Sequence, residues 1–298
     1  MKYPIDISFD FSKIYDCVIT CCGYESRAGF LCREGIQGRR CIAIDYMETG
    51  RGSVDRNREI YLDKKWELVE KHKVNELLEE RVKKEHARDF CIDISSMPRE
   101  LMGSIVAFFS EHYSNSISVD FVYLIAPFSQ SKKAANAQGS VSLYKLSDYY
   151  EGALRDPSTP VGLMIGLGLE EKRARGIIEY FEPKTTLLYM GINGDPNFEI
   201  EEKEIHDQLI KQYGSLDYNI RSLQETFDLL FSSYESLKYD NRLILAPSGP
   251  KIFTLACLLL ASTRETTRPA VWRVGGKPGG AGVDVEATGD IISARVVF

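Results

Sequence analysis

The sequence has no run of 18 apolar residues, no C-x-x-C pair, no G-x-G-x-x-G or Walker phosphate loop and no low-complexity tract. Each absence excludes something. Without a long apolar run no membrane-crossing helix is expected. Met1-Lys2-Tyr3-Pro4-Ile5-Asp6 lacks the apolar stretch of a secretory leader, so a cytoplasmic location is expected. Histidine is scarce: His72, His86, His112 and His206 fall in helix-like stretches without ligand spacing, and no metal site is expected. An excess of positive charge is also lacking. The net charge of −6 argues against general DNA binding through the phosphate backbone.

The seven cysteines, at 17, 21, 22, 32, 41, 91 and 257, are odd in number and lie mostly in apolar strand-like runs. There a thiol behaves as a small hydrophobe, which fits a reducing compartment. Cys21-Cys22 has no histidine nearby to activate it and reads as a pair of buried thiols.

What is present is an alternation of strands and helices over 298 residues, 44% of them hydrophobic and 27% charged. Strands are predicted at 15–21, 41–46, 90–94 and 119–125, and again at 161–165, 186–190, 243–245 and 270–274. Helical patterns lie between them, at 26–34, 59–86, 98–108, 170–181, 200–237 (broken near Gly214) and 252–263. Such alternation implies parallel sheets wound by right-handed crossovers. The stretch 128–160 reads as a linker or accessory segment. The tail adds a glycine-rich run, 275–282, and a terminal β pair of 283–285 with 291–297. Within that run Gly276-Lys277-Pro278-Gly279-Gly280 lacks the Ser/Thr ending of a phosphate loop and reads as a turn.

A two-part motif occurs twice. The first copy is Cys22-Gly23-Tyr24-Glu25-Ser26-Arg27-Ala28 with Asp93-Ile94-Ser95-Ser96-Met97-Pro98-Arg99. The second is Leu167-Gly168-Leu169-Glu170-Glu171-Lys172-Arg173-Ala174 with Ala246-Pro247-Ser248-Gly249-Pro250-Lys251. Every element sits where a strand gives way to a helix, the place where open parallel sheets bind ligands. The expected fold is therefore α/β, two tandem Rossmann-like parallel-sheet repeats related by pseudo-two-fold symmetry with a C-terminal β pair, divided as 1–150 and 151–298.

Gly23 and Gly168 permit close backbone approach or simply a tight turn. The helix starts after them offer N–H groups and a positive dipole end suited to phosphate. Arg27 and Arg173 can add bidentate contacts. Ser95, Ser96 and Ser248 bring hydroxyls. Arg99 and Lys251 put a cation in a first helical turn, against the dipole, twice over, which points to an anionic partner. Tyr24 lies in the same loop. Glu25 and Glu170 suit the dipole without further role, and both readings of them stay open. Asp45, at a second-strand end, stands where nucleotide folds place a ribose-binding carboxylate.

These motifs resemble those of the CRISPR-associated Rossmann-fold sensors, the CARF family, and their fused-pair relatives, the SAVED domains of bacterial antiviral signalling. Asp93 to Arg99 and Ala246 to Lys251 are similar to that family's Asp-x-Thr-Gly-Gly-x-Lys element, with Pro98 and Pro250 as departures and Gly249 alone for the glycine pair. The resemblance implies a nucleotide-sensing regulatory protein of antiviral defence. It would bind an anionic nucleotide-type ligand in the groove between the repeats and control a separate effector protein. The ligand-binding residues implied are Gly23, Tyr24, Glu25, Arg27, Asp45, Ser95, Ser96, Arg99, Gly168, Glu170, Arg173, Ser248, Gly249 and Lys251, with no catalytic residue and no cofactor assigned. Two alternatives stay open: a ring-nuclease-like phosphodiesterase, and a protein-interaction scaffold without a small ligand. Whether two chains pair is also open.

Overall fold

The computed structural model describes residues 2–113, 116–136, 141–170, 172–192, 194–263, 265–276 and 283–298. Glu171, Lys277, Pro278, Gly279 and Gly280, named above, lie outside them. The chain forms two compact units: Pro4–Ala137 with Ala281–Phe298, and Gln138–Gly280 with Met1–Tyr3.

The first unit is built from β1 (Pro4–Asp6), β2 (Ile14–Cys22), α1 (Phe30–Arg33), β3 (Gln37–Asp45), α2 (Val54–Asp63), β4 (Glu67–Glu70), α3 (Val74–Lys83), β5 (Asp89–Asp93), α4 (Arg99–His112), β6 (Ser118–Leu124) and α5 (Phe128–Asn136). The second holds β7 (Val141–Lys145), β8 (Val161–Gly166), α6 (Arg173–Phe181), β9 (Thr185–Ile192), α7 (Pro196–Tyr213), β10 (Leu216–Asn219), α8 (Leu223–Leu237), β11 (Arg242–Pro247), α9 (Lys251–Ala261) and β12 (Ala270–Gly276). The last strand, β13 (Ile291–Val297), returns to the first unit.

The first sheet runs β1-β13-β6-β5-β2-β3-β4 and the second β10-β9-β8-β11-β12-β7. From β2 to β6 and from β8 to β12 every pairing is parallel. Antiparallel strands finish one edge of each: β13 and β1 on the first, β7 on the second. Numbered within its own sheet, each parallel set has the order third, second, first, fourth, fifth. Both are thus mixed, parallel-dominated α/β sheets of Rossmann-like strand order.

The central strands are buried on both faces, which is why they read as continuous apolar runs. Val18, Ile19, Ile42, Ala43, Ile44, Phe90, Cys91 and Ile92 are fully buried in the first sheet, and Leu163, Met164 and Ile165 in the second. Helix α9 is buried along its whole length after Lys251, as its all-round apolar sequence Ile252 to Ala261 requires.

Asp120 on β6 explains why the C-terminal strand belongs to the first sheet. It is fully buried, and Arg295 of β13 lies directly opposite it in the antiparallel register. Arg295 donates to both carboxylate oxygens at 2.6 and 2.8 Å, Lys13 donates at 2.9 Å and the Tyr15 hydroxyl at 3.0 Å. Burial alone would raise this carboxyl, but the two cations hold it below the usual carboxylate range.

Several sequence expectations are corrected. The chain divides near 137 and 281 rather than at 150/151, because β7 joins the second sheet and β13 the first. The stretch 59–86 is not one helix: Lys65 adopts φ 60°, and β4 intervenes. The stretch 200–237 likewise contains β10, and 128–160 holds α5 and β7. The expected β pair of 283–285 with 291–297 does not form. Residues 283–285 are not strand, and β13 pairs with β1 and β6 instead.

Asp120→Ala removes the buried member and leaves Arg295 and Lys13 with partial access to water. It is expected to lower unfolding free energy by about 1–3 kcal/mol in urea titrations and to leave β13 the first strand to lose hydrogen-exchange protection.

Candidate functional site

In each sheet the strand order reverses between its first and fourth parallel strands, β2 and β5 in one unit, β8 and β11 in the other. Both copies of the motif lie at the carboxyl ends of these strands, and in each unit the two loops touch. A Cβ added to Gly23 would lie 3.3 Å from Ser96 Cβ and 3.4 Å from its Oγ. One added to Gly168 would lie 2.9 Å from the Ser248 carbonyl oxygen, and one on Gly249 only 2.0 Å from that of Leu167. Close approach of the two loops, rather than a positive φ, is what these glycines provide.

In the first unit the Gly23 loop is clamped from α2. Asn57, fully buried, donates to the carbonyls of Gly23 at 2.9 Å and Glu25 at 2.8 Å. Tyr61 donates to Ala28 O at 2.5 Å. Ser53 N–H donates to Tyr24 O at 2.8 Å, and the Arg51 guanidinium lies 4.4 Å from the centre of the Tyr24 ring. The segment after the second unit closes this loop. Ser26 N–H donates to the Asp284 carboxylate at 2.6 Å, and Arg27 N–H donates to Val285 O at 3.0 Å. The amides expected to receive a phosphate therefore already hold a carboxylate and a carbonyl of the same chain.

The expected arginine grips are also engaged internally. Arg27 is buried. Its Nε donates to Glu25 at 2.6 Å and its Nη1 to Leu124 O at 2.8 Å. Burial disfavours its charge, yet Glu25 beside it more than offsets this and raises the guanidinium above its ordinary value. Arg173, equally buried, pairs with Glu170 at 3.0 Å, but here burial prevails and the guanidinium is lowered. Asp45 accepts two bonds from Arg58, at 2.8 and 3.0 Å, and one from Met47 N–H. Arg58 holds its carboxyl below the usual range.

Ser95 Oγ accepts from Leu124 N–H at 2.8 Å, tying β5 to the end of β6, and Ser248 Oγ donates to Gly166 O at 2.7 Å. Both are buried. Ser96 is partly exposed against Gly23. Arg99 and Lys251 are each the first residue of their helix, after Pro98 and Pro250 as N-caps, and each is partly exposed. Thus Ser96 and Arg99 share one loop end and Gly249 and Lys251 the other, while Glu25, Arg27, Asp45, Ser95, Glu170, Arg173 and Ser248 hold the loops in shape.

Two groups the sequence reading did not single out as site residues stand behind the second loop. His206 on α7 is buried, and its Nε2 lies 2.7 Å from Gly168 O. Because a carbonyl only accepts, Nε2 carries the proton. One turn earlier Glu202 is fully buried, and neither of its carboxyl oxygens has a hydrogen-bond partner among the described residues. Burial pushes it up to about 8; the nearby Gly191 N–H opposes this, and Glu170, Asp217 and Glu199 add to it. The i, i+4 spacing of Glu202 and His206, which places both on one helix face, was the available signal. The Cys22 thiol is pushed up to about 12 by burial. No group of three or more His, Cys, Asp or Glu among the described residues is placed to hold a metal ion, and no described helix is long and apolar enough to cross a membrane.

No protein-family profile matches this sequence, and no curated protein does. Among solved structures, a putative universal stress protein from Pseudomonas aeruginosa UCBPP-PA14 is similar over 87% of this chain and 92% of its own, at 10% identity and a TM-score of 0.27. A likeness at that score carries no argument, and the fold assignment rests on strand order alone.

Two outcomes are expected. A Cβ at residue 249 has no room beside Leu167 O, so Gly249→Ala should destabilise by about 1–3 kcal/mol in chemical unfolding. Glu202 titrates near ~4.3 when unfolded and about 8 when folded. The folded state therefore holds an extra proton between those values, and stability falls as pH rises across that window. Glu202→Gln should remove that fall. Its stability relative to the parent should grow from pH 5 to pH 8 and then level off, whereas parallel pH curves would show that Glu202 is ionised throughout.

Proposed function

We propose that this protein is a cytoplasmic nucleotide-sensing regulator of bacterial antiviral defence, binding an anionic nucleotide-type ligand at its motif loops and acting on a separate effector. The observation that carries the reading is the position of Arg99 and Lys251. Each is the first residue of a helix, partly exposed, at the reversal of strand order, and each follows a loop similar to the CARF element. A cation in a first helical turn opposes the macrodipole, and a bound anion relieves that opposition. Ser96 and Gly249 would supply the neighbouring polar and backbone contacts. Glu25, Arg27, Glu170 and Arg173 act one step back, as internal ion pairs that fix the loops.

The phosphodiesterase alternative draws less support. The Ser248 proton is committed to Gly166 O, and the Cys22 thiol stays protonated at neutral pH. Glu202, the group here that holds a proton to about 8, is fully buried.

Thermal-shift titration against linear, cyclic and dinucleotides tests the reading. A ligand at ~100 times its Kd should add about 2.7 kcal/mol of stability. The shift should be lost in Arg99→Ala, in Lys251→Ala, or in both. A shift that survives the double variant, or no shift with any nucleotide, rejects it.

A further inference from the structure

A cleft of about 220 Å³ lies in the second unit at the amino ends of β11 and β12, the opposite end of the sheet from its motif loops. None of its lining residues belongs to the motif loops. Its walls combine three kinds of group. Trp272 and Phe181 form an apolar side, packed edge-to-face at 5.0 Å between ring centres. Arg242 and Arg268 supply positive charge, and Asn241 supplies a buried amide.

These groups are not all committed to the fold. Arg155, also on the cleft, is: it donates to the carbonyls of Lys238 at 3.0 Å and Tyr239 at 2.8 Å, just past the end of α8. The carboxylate of Glu151 on the rim pairs with Lys145, which offsets its charge. The Arg242 guanidinium, by contrast, is exposed and makes no hydrogen bond or ion pair among the described residues. Arg268 lies 5.6 Å from the centre of the Tyr149 ring. Asn241 donates through Nδ2 to Leu237 O at 3.2 Å, but its buried Oδ1 has no donor among the described residues. A buried acceptor without a donor is costly, and this one forms part of the closed cleft wall.

We propose that this cleft is a second small-molecule site, separate from the motif loops, for a planar aromatic anion. The ring would lie against Trp272, and the anionic group would meet Arg242 and Arg268. The volume falls below the ~300 Å³ at which sites for drug-sized ligands begin. The part of the occupant held in the cleft is thus no larger than a mononucleotide or an aromatic carboxylic acid.

Trp272 is a built-in reporter, since the sequence has only one other tryptophan, Trp66, in the core of the first unit. Tryptophan emission is followed while the full chain is titrated with AMP and, separately, with benzoate, neither of which carries an indole. Saturable quenching is expected with at least one probe, and which probe succeeds tells a phosphate ester from a carboxylate. Arg242→Ala removes an exposed side chain. It should weaken that binding at least ~10-fold, about 1.4 kcal/mol, with an unchanged unfolding midpoint. Arg99→Ala with Lys251→Ala should leave the quenching intact, so failure here and failure of the motif-loop reading are separate results. No quenching by either probe at millimolar concentration, or equal affinity in Arg242→Ala, overturns the proposal.

Discussion

Everything at the motif loops depends on one steric constraint, the close approach of the loop after the first parallel strand to the loop after the fourth. In a sheet whose order reverses between those strands, the two loops leave in different directions and open a crevice. Here the crevice floor is nearly shut. Gly23 lies on Ser96, and Gly168 and Gly249 lie on the facing backbone. A side chain at Gly168 or Gly249 would wedge the loops apart and move the start of the helix that the later loop feeds, and one at Gly23 would press on the Ser96 side chain. The cations at those helix starts have fixed positions only because the glycines let the loops meet.

Around that contact the charged residues divide by depth. In the loop cores the buried Arg27 and Arg173 pair with the half-buried Glu25 and Glu170. Such pairs cost desolvation and contribute little net stability, yet leaving one member alone would be severe. Their value is in fixing loop shape. The different fates of the two guanidinium groups, one raised and one lowered, follow from how far each acid offsets burial.

Much of the parallel framework was legible because strands buried on both faces write themselves as apolar runs: Cys17 to Cys21, Ile42 to Ile44, Phe90 to Ile92, Leu163 to Ile165 and Leu243 to Leu245. The strands missed were edge strands. Glu67-Leu68-Val69-Glu70 and Leu216-Asp217-Tyr218-Asn219 are short and half exposed, and their polarity merges with the adjoining helical pattern. At the candidate site the motif residues were visible, but their partners were not. Asn57 holds the Gly23 loop from α2, and Asp284 reaches Ser26 from the far end of the chain. No local spacing encodes contacts of that range. An arginine that grips a ligand and one that grips its own loop have the same sequence signature.

The return of β13 to the first sheet makes the second unit an insertion within the first. Synthesis runs from the amino end, so β2 to β6 emerge with one edge of β6 bare. That edge stays unpaired while the whole second unit is made. Asp120 spends this interval without Arg295. The nascent chain thus carries an open sheet edge and a half-paired carboxylate on β6, both closed only when residues 291–297 arrive. Folding order is thereby written into the topology: the inserted unit can be complete before the unit that encloses it.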